Sequence, residues 1–320
     1  MLTGPPAHRA MEQALLGSWL RRELGEELQA MVPVSGGCIH RAWRLELSSG
    51  RRLFAKTNQI ERLPMLIAEA DGLRALAAAA AAARAMGTDA TGAGLMVPEP
   101  LQLMPVENHG LLLMPWLELS NRPNDPERAW RQLGGQLAAL HRASLEGHDG
   151  RFGWGQDNVI GSAPQRNRWD NDWGRFFTQQ RLAPQLAWAS SRGRRPAGAA
   201  ALLERVAGWL NGHGAEPCLV HGDLWSGNAG LLASGGGALF DPAVYRGDRE
   251  VDLAMAQLFG GFPTAFFKGY EQEWPLPTGH RQRRELYNLY HLLNHANLFG
   301  GSYWDQAERS IRSLLKAASP

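Results

Sequence analysis

The string HGDLWSGN at residues 221–228, followed by FDPA at 240–243, constrains this chain more than any other stretch. Asn228 follows Asp223 by five positions and Asp241 follows Asn228 by thirteen, with LLASGGGALF between them. The apolar triplet Cys218-Leu219-Val220 reads as a short strand, and LLASGGGALF reads as strand, glycine-rich turn and strand. A fold compatible with this stretch must display His221, Asp223, Asn228 and Asp241 at strand ends, where polar side chains meet ligands. An isolated Asp-Gly or Asp-Pro pair is ordinarily a turn or a cap. Here the spacing is organised around a hairpin, which argues against turns alone.

That spacing matches the catalytic loop and metal-binding strand of proteins that move a phosphoryl group from a nucleotide to a hydroxyl. Such chemistry needs few groups, because the protein mainly positions reactants and neutralises charge. Asp223 is the candidate base, a role worth roughly 10²–10⁴ in rate. Asn228 and Asp241 are candidate ligands for Mg²⁺, which prefers hard oxygen donors. His221 reads as a hydrogen-bond donor bracing the loop, since Asp223 already occupies the base position. Trp225, inside the loop, either stacks on a sugar or anchors the loop on the structure beneath it.

The N-terminal part supplies a second constellation. Apolar positions from Leu15 to Leu28 predict an amphipathic helix over Met11–Leu28. Between residues 31 and 58 the period changes to two, and Ser48-Ser49-Gly50 marks a hairpin turn that leads into RRLFAKTN. Lys56 then shares a strand face with Phe54. Pro64 opens a helix running to about Met86, on which Glu69 falls inside the apolar stripe of Met65, Leu66, Leu73 and Leu76. A carboxylate there needs a cationic partner, and Lys56 is the natural one. A Lys–Glu pair at this place aligns the lysine on nucleotide phosphates in kinases. The segment VSGGCIH offers main-chain N–H groups of Ser35, Gly36 and Gly37 to phosphates, although an ordinary hairpin turn has the same composition. Cys38, near its tip, is either an oxidisable thiol or an inert small hydrophobe.

A chain of 320 residues with 44% apolar content is long enough for two lobes. Two further strands between 96 and 119 place the boundary at Trp116–Ser120, giving an N-terminal lobe over 1–117 and a C-terminal lobe over 118–320. Helical periodicity over Trp130–Arg142 and near 250–270, 279–298 and 304–317 makes the second lobe mostly helical. A net charge of +2, with acids and bases interspersed, gives no footprint for nucleic acid or an anionic membrane. The longest apolar run, Ala77–Ala83, is closed by Arg84, and no signal-peptide core is visible at the N-terminus, so a soluble protein is expected. The two cysteines have neither disulfide-framework nor zinc-site spacing, which fits a reducing, cytoplasmic location. His291 and His295 stand four apart on a predicted helix, but no glutamate follows the first, so the metalloprotease pattern fails and satisfied helix histidines are expected.

The chain resembles the fructosamine, or ketosamine, kinases of the aminoglycoside phosphotransferase and choline kinase-like superfamily. The resemblance runs through SGGCI, FAKTN, AEADGLRAL, LAALHR, FGWGQDNVIGSAPQRNRWDNDWGRFF, LVHGDLWSGN, FDPAVYRGDREVDLAM and LFGGF. It implies an α+β, bilobal, protein kinase-like fold whose N-terminal lobe is an antiparallel sheet with helices. It implies ATP and Mg²⁺ as cofactors, Asp223 as base, Asn228 and Asp241 as metal ligands, and Lys56 with Glu69 as the phosphate-aligning pair. Asp252 resembles a helix carboxylate that braces the catalytic loop. Met114, Trp116 and Leu117 resemble a hinge whose backbone takes the adenine, with the departure that Pro115 lacks an N–H. The implied substrate is a ketosamine, small or protein-linked, phosphorylated on its 3-hydroxyl in a deglycation reaction. Asp157, Asn158, Trp173 and Trp225 fall in family-specific segments and are the candidates for the sugar side. The rival reading is a kinase of the same superfamily acting on an aminoglycoside, a choline-like alcohol or a simple sugar. Arg281, Arg283 and Arg284 weigh against a polycationic acceptor.

Overall fold

A computed structural model describes residues 6–34, 39–87, 94–120 and 122–317, with side chains from residue 13 onward except at Leu15. Ser35, Gly36, Gly37 and Cys38 lie outside the described residues. The chain divides into two compact units, Met1–Arg74 with Pro98–Glu118, and Ala75–Val97 with Leu119–Pro320.

In the first unit, helix α1 (Pro6–Leu24) stops four residues before the predicted end. Gly25, at φ +66°, takes the left-handed conformation that ends helices, and Leu28 already pairs with Leu47 in the sheet. Strands β1 (Leu28–Val34), β2 (Arg41–Leu47) and β3 (Arg52–Gln59) run antiparallel and lead to helix α2 (Leu63–Ala85), whose later turns belong to the second unit. Strands β4 (Gln102–Val106) and β5 (His109–Pro115) complete a five-stranded antiparallel sheet in the order β1-β2-β3-β5-β4. One set of alternating residues, among them Trp43, Leu45, Leu53 and Ala55, forms a core with Trp19 and Leu20 of α1. The two-residue period puts Phe54 and Lys56 on the opposite face of the central strand β3.

The second unit is mostly helical, as the sequence predicts, but more finely divided. It contains α3 (Pro126–Ala143), the hairpin β6 (Asn158–Ile160) and β7 (Ala163–Gln165), and α4 (Trp173–Phe176). From α4 a π-helical stretch, Phe177–Leu182, runs directly into α5 (Ala183–Ser191), and α6 (Ala199–Leu210) follows. Four short strands come next: β8 (Cys218–Val220), β9 (Ala229–Leu231), β10 (Gly237–Leu239) and β11 (Tyr245–Gly247). The unit ends with α7 (Glu250–Leu258), α8 (Thr264–Glu273), α9 (His280–Phe299) and α10 (Ser302–Lys316). The single helix expected near 250–270 is therefore two. Gly260 and Gly261, at φ +73° and +94°, break it before Pro263. The broken geometry lets α8 lie hard against α3: a Cβ on Gly134 would come within 1.9 Å of the Phe266 carbonyl, and one on Gly269 within 1.9 Å of the Arg131 carbonyl.

Candidate active site

Strand β8 delivers the chain into the loop His221–Asn228, and the antiparallel pair β9–β10 carries it from Asn228 to Asp241. Two main-chain bonds tie this path together, Phe240 N to Asn228 O at 3.1 Å and Ala243 N to His221 O at 2.9 Å. At Gly222 (φ +78°) a Cβ would sit 2.1 Å from the Ala243 carbonyl, so the loop closes this tightly only with glycine there. Asp241 holds a left-handed conformation at φ +57°, which aspartate tolerates better than most residues.

Inside the loop, the Asn228 amide Nδ2 donates to the Asp223 carbonyl at 2.9 Å, to Asp223 Oδ2 at 3.2 Å and to the Asp241 carbonyl at 3.3 Å. This commits the nitrogen end of the amide. Asn228 Oδ1 and Asp223 Oδ1 have no hydrogen-bond partner among the described residues. Burial, and then the nearby Asp241 charge, push the Asp223 carboxyl up to about 7, against the lowering effect of the Asn228 hydrogen bond. The cluster thus presents a carboxylate made more basic by burial and by the charge of a second carboxylate, and a cation would relieve that negative charge.

The loop is braced from below by Asp252 in the first turn of α7. Its Oδ2 accepts the His221 N–H at 2.7 Å and its Oδ1 accepts the Gly222 N–H at 2.9 Å. Burial by itself would raise this carboxyl. The hydrogen bond and charge of His141, with the His221 ring and the Gly222 N–H, outweigh burial and hold it below the usual carboxylate range. His221 is fully buried, and burial lowers its pKa. The neutral ring accepts the Asp223 N–H on Nδ1 at 3.3 Å and donates from Nε2 to the Phe240 carbonyl at 3.0 Å. Sequence reasoning gave no role to His141 or Tyr270, which lie 111 and 129 residues from their partners Asp252 and His141. The histidine within LAALHR was the available signal.

In the first unit, Lys56 Nζ donates to Glu69 Oε1 at 2.6 Å, with both side chains buried. Strand β3 and the first turns of α2 hold the pair, and Leu66, Leu73 and Leu76 around Glu69 are fully buried. Met114 lies opposite Phe54 in the β3–β5 register. Trp116 packs its ring 6.2 Å from Phe54 and lies under the Arg44 guanidinium at 5.6 Å. Leu117 is half-buried one residue further on.

The structure corrects two of the four sugar-side candidates. Trp173 is 3% exposed in an aromatic core with Phe152, Phe176 and Phe177, and its indole N–H donates to the Tyr287 hydroxyl at 3.0 Å. Asn158 is also buried; it donates to the Val244 carbonyl at 2.8 Å and so supports the segment after Asp241 from the β6–β7 hairpin. Neither side chain is placed to touch a sugar. Asp157 is exposed and accepts the Asn167 N–H at 2.7 Å, and Trp225 is 37% exposed. The Trp225 ring covers Gly227 within the same loop, where a Cβ would meet it at 2.2 Å. Arg283 is no acceptor-facing cation, because it is buried in a two-bond fork with Glu250 at 2.6 and 2.9 Å. His295 Nδ1 donates to the His291 carbonyl at 2.9 Å and is satisfied within its helix, whereas His291 is buried with its Nδ1 shielded and without a hydrogen bond among the described residues, contrary to the expectation for that residue. No helix among the described residues is long and apolar enough to cross a membrane.

An antiparallel sheet unit and a mostly helical unit carrying this loop and hairpin make the chain a phosphotransferase of the protein kinase-like fold. It belongs to the fructosamine kinase family, whose model matches residues 13–317. Among its relatives is a probable ketoamine kinase of Synechocystis sp., 42% identical over 289 residues, which cover 90% of this chain and 91% of the relative. Among solved structures, a protein from Haemophilus somnus provisionally named a fructosamine-3-kinase is 26% identical with a TM-score of 0.79, covering 94% of this chain and 96% of that one. An aminoglycoside phosphotransferase, APH(4)-Ia, shares the fold at 17% identity and a TM-score of 0.61, over 94% of this chain and 100% of its own.

Proposed function

We propose that the chain transfers the terminal phosphoryl group of ATP to the 3-hydroxyl of a ketosamine, the adduct of a sugar with a free or protein-bound amine, and so serves deglycation. The observation that carries the reading is Asp223, whose Oδ2 is held by Asn228 while Oδ1 stays without a hydrogen bond. That free oxygen suits it to accept the proton of an acceptor hydroxyl as the hydroxyl oxygen bonds to phosphorus and the bond to ADP breaks. Asn228, through its unengaged Oδ1, and Asp241, through its carboxylate, fit a hard divalent cation and would hold Mg²⁺. When bound, the ion supplies charge neutralisation on the phosphates. Lys56, oriented by Glu69, is the cation offered to the nucleotide phosphates, and the backbone from Met114 to Leu117 is the candidate adenine contact. Family membership and the ketoamine kinase relatives support the acceptor class; Asp157 and Trp225 remain the sugar-side candidates.

The test is incubation with Mg-ATP and a panel of ribulosamine, fructosamine, an aminoglycoside and choline, with the new phosphate located by NMR. The expected result is phosphate on the 3-hydroxyl of a ketosamine. Phosphate on the aminoglycoside or choline, with none on either ketosamine, overturns the acceptor assignment.

A further inference from the structure

A recess of about 630 Å³ opens on the second unit beside the end of α7, lined chiefly by α9 and α10. None of the residues 221–228 lines it, nor does Asp241, so it is separate from the candidate active site. Arg281 and Arg284 of α9 and Arg309 of α10 bring three positive charges to it against one carboxylate, Glu285. Arg284 is bonded to Gln257 and Glu285 accepts the Ser313 hydroxyl, which leaves Arg281 and Arg309 exposed and in no hydrogen bond or ion pair among the described residues.

The recess has a second, independent mark of a ligand. Ser310 is only 6% exposed, and its hydroxyl is shielded from solvent without a hydrogen bond. The Asn288 side-chain carbonyl is likewise shielded and unpartnered. Buried polar atoms in folded proteins are almost always satisfied, so two orphans on residues that line one concavity point to a partner that enters it. A second basic recess of about 360 Å³ near Trp169 lacks this combination, since none of its lining residues carries a shielded, unpartnered polar atom, and Arg151 and Arg175 there are paired with Asp149 and Asp170.

We propose that this recess binds a phosphorylated, hydroxyl-bearing small molecule of the sugar phosphate class. Guanidinium groups fork onto phosphate oxygens, which accounts for Arg281 and Arg309. A sugar hydroxyl both donates and accepts, which satisfies the Asn288 carbonyl and the Ser310 hydroxyl together. An anionic lipid surface would meet the exposed arginines and leave the two buried atoms unpaired.

The experiment is calorimetric titration of the full chain with ribose 5-phosphate, ribose and inorganic phosphate, repeated on Arg281→Ala/Arg309→Ala and on Ser310→Ala. None of these residues belongs to the candidate active site, and an unchanged melting temperature without ligand confirms that each variant folds. Ribose 5-phosphate is expected to bind the wild type, with affinity lost by about tenfold or more in the double arginine variant and less in Ser310→Ala. Ribose is expected not to bind, and inorganic phosphate to bind more weakly. No binding of ribose 5-phosphate, or equal binding by wild type and double arginine variant, overturns the proposal. Equal affinity for inorganic phosphate and ribose 5-phosphate overturns its sugar part, and capture by anionic lipid vesicles without ribose 5-phosphate binding assigns the surface to a membrane and overturns it as well.

Discussion

His141 Nε2 donates to Asp252 Oδ2 at 3.1 Å, between two side chains with essentially no solvent exposure. The Tyr270 hydroxyl meets His141 Nδ1 at 2.8 Å, so both ring nitrogens are engaged. Asp252 in turn holds the first two N–H groups of the loop that contains Asp223. The path from α8 through α3 to α7 therefore ends at the loop's backbone.

Removing the ring tests that path. His141→Ala leaves a buried carboxylate short of one donor and is expected to cost about 2–4 kcal/mol of stability. As His141 positions the loop without touching substrate, kcat should fall about tenfold or more while KM for nucleotide changes little. His141→Asn, which keeps a donor, should recover part of kcat. Equal loss of kcat in both variants, or a loss confined to KM, contradicts this role.

The Lys56–Glu69 pair separates stability from nucleotide affinity. Glu69→Ala takes the carboxylate away from a buried ammonium, and breaking such a pair costs about 3–5 kcal/mol. Replacing both partners, as in Lys56→Met/Glu69→Leu, removes the buried charge together with its carboxylate and should restore much of the lost stability. Nucleotide affinity should remain low in the double variant, because the cation proposed to face the phosphates is gone. Denaturant midpoints and nucleotide titration on the same proteins decide it; recovery of affinity together with stability would assign the pair a purely structural role.

Acid sensitivity has an identifiable source in α9. Burial first, then the charge of His295, with Arg181 adding to the lowering and Asp252 opposing it, push His291 down to about 3. In the unfolded chain a histidine titrates near 6.5, so below that pH the unfolded state takes up a proton that the fold refuses. Stability contributed by the neutral ring is full above about pH 6.5 and falls by about 1.4 kcal/mol per pH unit as the pH drops toward His291's own pKa. Urea unfolding of wild type and His291→Met at pH 7.5, 6.0 and 5.0 measures the difference. The variant should show a pH slope shallower by about one proton; parallel slopes would show that His291 is not the group responsible.

Legibility in the sequence followed the range of the interactions. The hairpin between Asn228 and Asp241 and the partnership of Lys56 with Glu69 could be read because each involves neighbouring elements with a clear period and an apolar stripe. The brace on the loop could be read only at its Asp252 end, through a resemblance, because its remaining members come from helices more than a hundred residues apart. Trp173 and Asn158 were misread for a related reason. A distinctive segment signals a constraint but not its side, and both residues turn inward, one to Tyr287 and the other to the Val244 carbonyl. The break between α7 and α8 was written in Gly260, Gly261 and Pro263, yet the apolar periodicity on either side concealed it.

The most direct measurement is turnover and nucleotide binding of Asp223→Asn on the same preparation. The amide preserves the shape of the carboxylate, so Mg-nucleotide binding and the melting temperature should stay close to wild type. Phosphoryl transfer to a ketosamine should fall by roughly 10²–10⁴. Turnover within a few-fold of wild type would contradict the assignment of Asp223 as the base, and with it the account of this loop.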